Sequence, residues 1–115
     1  MNKKFTPGPW RVRKIAEFDI YKNESLYVLA NDDGIVKMGK CAKKVASMPN
    51  LHNYPDDVET IYANAYLIAA APEMYDLLDR LPSDLKHYKQ SKNDKMLDDI
   101  TGRIESVLRK ARGVK

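Results

Sequence analysis

The chain has 115 residues, 43% hydrophobic and 31% charged, and its 20 basic and 16 acidic side chains leave a formal charge of +4. That length is one domain of 1–115, large enough for a modest core, and the composition is that of an ordinary soluble protein. Cys41 is the only cysteine, which excludes an internal disulfide and fits a reducing cytoplasm, while the apolar stretch 65–72 falls far short of the roughly 20 residues a membrane span needs.

The lead "MNKKFTPGP", 1–9, carries basic residues and two prolines, which is not the pattern of a signal peptide. The prolines fix an extended backbone and deliver Trp10 in a direction suited to a strand. In "WRVRKI" Trp10 and Val12 alternate with Arg11 and Arg13, and in "FDIY" Phe18 and Ile20 alternate with Asp19 and Tyr21. This is the period of a half-buried strand. "SLYVLA" and "GIVKMGKCA" then flank "NDDG", 31–34, which predicts a hairpin turn. Residues 9–46 therefore read as an antiparallel sheet of roughly three to five strands with one solvated face.

"SMPNLHNYPDD", 47–57, reads as the loop that leaves the sheet. Asp56 or Asp57 is placed to cap a helix from about Val58 to Ala70, with Glu59 in its first turn. Pro72 stops or bends that helix and suits a restart, after which Met74, Leu77, Leu78 and Leu81 form one stripe. Pro82 is expected to end it, and 83–95 to be the least ordered part. From Asp94 the residues Met96, Leu97, Ile100, Ile104, Val107, Leu108 and Ala111 recur at helical steps, which predicts a helix of about 18 residues. Its stripe needs a partner: the 58–81 helix, the sheet, or a second copy. The expected fold is α+β, an N-terminal antiparallel β-sheet followed by two to three C-terminal α-helices over 58–112.

No catalytic constellation stands out. Cys41, His52 and His87 lack metal-site spacing, and five glycines form no phosphate loop. The pairs Asp32/Asp33, Asp56/Asp57 and Asp98/Asp99 sit where turns and caps place acids. The expectation is a binding protein, not an enzyme, with no cofactor. The mixed charge favours a compact anion over a nucleic-acid polymer. Arg103 or Arg109 could hold phosphate, Tyr54 or Tyr62 could stack a base, and Asn53 or Asn64 could pair with an adenine edge. Arg11, Arg13 and Lys14 beside Trp10 and Phe5 are the best group for a nucleic-acid polymer instead.

Two motifs carry a resemblance. "FTPGPW", 5–10, and "ANAYLIAAAPEMYDLL", 63–78, are similar to the pair found in many small phage and prophage proteins, over roughly 5–80. The layout of a sheet followed by C-terminal helices also resembles the Thoeris anti-defence sponges of phages. That resemblance implies a non-enzymatic homo-oligomer, built on dimers zipped by the C-terminal helices. It would sequester a cyclic ADP-ribose isomer, or a related cyclic nucleotide, in the cytoplasm of the infected cell. The alternative is a small phage protein that binds a host protein or nucleic acid. Within the second motif the alanines at 63, 65, 69, 70 and 71 allow close packing, and Asn64 either bonds backbone at that contact or projects into a ligand pocket.

Overall fold

The computed structural model describes residues 5–16, 24–30 and 43–114. Among these, three strands form one antiparallel sheet: β1 (Trp10–Ala16), β2 (Glu24–Ala30) and β3 (Lys43–Ser47), in that spatial order. Trp10 lies opposite Ala30 and Arg13 opposite Tyr27, and a register shift interrupts β2–β3 between Val28 and Leu29. Three helices follow: α1 (Val58–Ala69), α2 (Ala71–Ser91) and α3 (Asp94–Ala111). The α+β arrangement expected from the sequence is the one observed. The "NDDG" turn, the "FDIY" run and Cys41 lie outside the described residues.

Alternation decides the sheet's two faces. Leu26, Val28 and Ala30 are fully buried and meet Trp10, Leu51, Ile61, Ala65 and Ala69 in one core. α1 covers that face. Its alanines at 65 and 69 have no side chain beyond Cβ, so the helix backbone lies close to the sheet. Ala63, Asn64 and Leu67 take the solvent side. Asn64 is therefore neither a buried polar group nor part of the tight contact, and Ala63 takes no part in the packing.

Segment 47–57 is less of a loop than expected, because two short 3-10 turns, Leu51–Asn53 and Pro55–Asp57, occupy it. Asp57 stands at the N-cap of α1 but its side chain makes no capping hydrogen bond. Its carboxylate still lies at the positive end of the helix dipole. Ala70 closes α1 and opens α2: its N–H donates to the Tyr66 and Leu67 carbonyls at 3.1 and 3.3 Å, and its carbonyl accepts from Met74 N–H at 2.9 Å. Pro72 falls in the first turn of α2, where a missing N–H costs nothing.

Pro82 does not end α2. The helix runs through it to Ser91, so 83–91 are helical throughout, where the sequence reading places the least ordered part of the fold. α2 stops where Lys92 turns left-handed at φ 51°, its N–H donating to the Tyr88 carbonyl at 2.7 Å. Asn93 then caps α3, its side chain accepting from Lys95 N–H at 3.0 Å. Lysine bears a Cβ penalty in that left-handed conformation that glycine escapes. Lys92→Gly is expected to stabilise the fold by about 0.5–1 kcal/mol in urea unfolding; a loss of stability would mean that the lysine side chain supports the turn.

Candidate binding clefts on α2 and α3

The two motifs meet in space. The N-terminal arm, 5–9, lies against the start of α2, so closely that a Cβ on Gly8 would sit 2.9 Å from Pro72 Cβ. The Trp10 indole N–H donates to the Thr6 carbonyl at 3.1 Å, which folds the arm back on the strand. Phe5 then stands edge-on to Trp10, with centroids 6.4 Å apart, and to Tyr75 at 4.9 Å. A glycine between two prolines is thus a steric requirement of this contact. Beside it opens a cleft of about 380 Å³, lined by the arm and by Pro72, Glu73 and Asp76.

Glu73 and Asp76 also line a second cleft, of about 240 Å³, between α2 and α3. Leu77 and Val107 are its apolar walls, and Arg80, Arg103 and Ser106 supply hydrogen-bond donors. Small-molecule sites typically occupy about 300–1,000 Å³, so the smaller cleft alone is tight and the adjoining pair has room.

The charges here are partly committed. Arg103 donates to Asp84 Oδ2 at 3.0 Å and to Asp99 Oδ2 at 2.5 Å, which fixes its guanidinium between the helices. Lys110 Nζ donates to Glu73 Oε1 at 2.6 Å. These pairs are about a third exposed on most sides, so each contributes at most about 1 kcal/mol. Glu73 Oε2 is buried and has no hydrogen-bond partner among the described residues. An unmet acceptor of that kind is a cost to the free protein. The clefts thus set the carboxylates of Glu73 and Asp76 and the guanidiniums of Arg80 and Arg103 along neighbouring walls.

The five residues singled out from sequence do not gather. Tyr54 is half exposed between the two 3-10 turns. Tyr62 is half-buried on α1, its ring 6.2 Å from that of Tyr66. Asn64 faces solvent on α1, and Arg109 is exposed in the last turn of α3. Arg103 lines the α2–α3 cleft. Glu73, Arg80 and Ser106 were missed. The signal that could have found them is the i, i+7 spacing of Glu73 and Arg80 on one helix, set antiparallel against Arg103, Ser106 and Lys110 on the other.

Among the described residues no group of three or more His, Cys, Asp or Glu side chains could hold a metal ion, and no helix is long and apolar enough to cross a membrane. A family model described as Salmonella phage P22 protein Y8K6 matches residues 1–115. No curated protein and no solved structure matches the chain.

Proposed function

The chain belongs to the Salmonella phage P22 protein Y8K6 family, and from that premise we propose that it is a non-enzymatic phage protein that sequesters a nucleotide-derived messenger of host defence. The ligand class is a cyclic ADP-ribose isomer or a related cyclic nucleotide. The observation that carries the reading is the adjoining pair of clefts that share Glu73 and Asp76, one of them lined also by Arg80 and Arg103. A base or ribose would donate to the carboxylates, and the pyrophosphate would face the guanidiniums. Capture alone suffices, because a messenger held below its receptor's threshold gives no signal.

Leu78, Leu85 and Leu108 are exposed on α2 and α3. They support a homodimer through the C-terminal helices, which would wall the clefts further. Isothermal titration with cyclic ADP-ribose isomers and cyclic di- and trinucleotides tests the reading, followed by boiling and identification of released ligand. Tight binding with intact ligand recovered is expected. Arg80→Ala, an exposed substitution, should weaken it about tenfold to a hundredfold. Silence across the panel, or recovery of altered product, would remove the messenger-capture reading.

A further inference from the structure

A third cleft, of about 210 Å³, opens at the margin of the sheet. Trp10, Arg11 and Val12, three consecutive residues of β1, all line it. Successive side chains of a strand point to opposite faces, so a cleft that meets three in a row runs along the strand's edge. β1 is an edge strand in the order β1-β2-β3. The far wall belongs to the helices: Tyr66 and Ala69 from α1, and Lys110 and Val114 from the end of α3. The helical layer thus reaches past β1, and the space left beside that strand is the place of a further one. The far wall is also held firmly. Gly113 is left-handed at φ 73°, in a turn closed by Val114 N–H donating to the Arg109 carbonyl at 2.9 Å, and a Cβ on it would fall 2.5 Å from the Tyr66 ring.

We propose that the β1 edge at this cleft takes up an extended peptide segment of a partner protein as an added strand, with an apolar side chain in the cleft and acidic side chains on either side of it. At about 210 Å³ the cleft is smaller than typical small-molecule sites. Its walls are almost wholly apolar, with Val114 standing 56% exposed among them. It suits a side chain, and a strand added about 4.8 Å from β1 sends every second side chain into it. The residues flanking that one turn to the other face of the sheet, the face on which alternation puts exposed Arg11. Carboxylates there form cross-strand pairs with its guanidinium. The last turn and cap of α3, which lead into Val114, add exposed Arg109 and Arg112. A second copy's β1, with cations at 11, 13 and 14, would bring like charge to this rim, so the occupant is a different chain. The inference stands apart from the messenger reading, because among the described residues none lines both this cleft and either of the clefts on α2.

Selection of phage-displayed random peptides of about twelve residues on the intact protein tests it. Synthetic copies of the enriched peptides are then titrated against the fluorescence of Trp10, the single tryptophan, which lines the cleft. Enriched peptides should carry an apolar residue between two acids, and should shift that fluorescence. Arg11→Glu should weaken them about five- to tenfold, and Val114→Asp about tenfold. Methylating the peptide's backbone nitrogens one at a time should cost about tenfold at every second position and little in between, because only alternate N–H groups face β1. Arg80→Ala, or an excess of a cyclic ADP-ribose isomer, should leave peptide binding unchanged, which separates this edge from the clefts on α2. Each variant's thermal melt is checked first; if Val114→Asp fails to fold, Arg11→Glu decides. No enrichment, enrichment of basic peptides, indifference to Arg11→Glu, methylation effects without the alternation, or decanoate binding as tightly as the peptides would overturn the proposal. So would a change of oligomeric state in Arg11→Glu, which would put a second copy on the edge.

Discussion

Trp10→Ala is expected to lower the unfolding free energy by about 3–5 kcal/mol, the cost of emptying a large aromatic site in a packed core. Domains of this size are stable by about 5–15 kcal/mol in total, so the variant should lie at or near the edge of folding at 25 °C. The reason is that Trp10 serves two contacts at once. It is 8% exposed, in the core beneath α1, and its indole N–H and ring edge also organise the N-terminal arm through Thr6 and Phe5. Trp10→Phe keeps most of the apolar volume and loses the hydrogen bond, so it should cost about 1–2 kcal/mol. Urea unfolding followed by far-UV circular dichroism reads both. A loss under 1 kcal/mol for Trp10→Ala would mean that the core closes without the arm.

Pro82→Ala should act in the opposite direction. A proline inside a helix forfeits one backbone hydrogen bond and crowds the carbonyl four residues earlier, about 3 kcal/mol worse than alanine. Part of that gain is cancelled because alanine leaves the unfolded chain freer, by about 0.4–1 kcal/mol. A net stabilisation of about 2 kcal/mol is expected. Pro82 is exposed in α2, so no core contact is lost. If the variant is less stable than the parent, the proline at 82 is itself required for α2 to lie along α3.

Pro82 also marks where local reading fails. The rule that proline ends a helix prices one peptide unit. What carries α2 past it is tertiary: Asp84, beyond the proline, meets Arg103 nineteen positions away on α3. Partners so far apart leave no trace in a window of ten residues. β1, β2 and the limits of α3 were legible because hydrophobic period is local. Asn64 was misjudged for a different reason. A polar residue in an alanine-rich run attracts attention, yet a helical wheel puts it one step from buried Ala65, on the face of Ala63 and Leu67. The cleft was half legible. Arg103 could be picked out by type, but Glu73, Arg80 and Ser106 acquire meaning only once two helices lie antiparallel.

The α2–α3 pair reaches away from the sheet in a molecule 63 Å long and 22 Å thick, and the sheet itself is served by α1. Its outer end is therefore free to change length in descent. Adding or deleting about seven residues, two helical turns, in both helices together preserves their facing register and leaves the core untouched. Related phages can thus inherit one core and arms of different reach, and comparison of relatives should find length variation concentrated around Lys92, with the two motifs constant at the base.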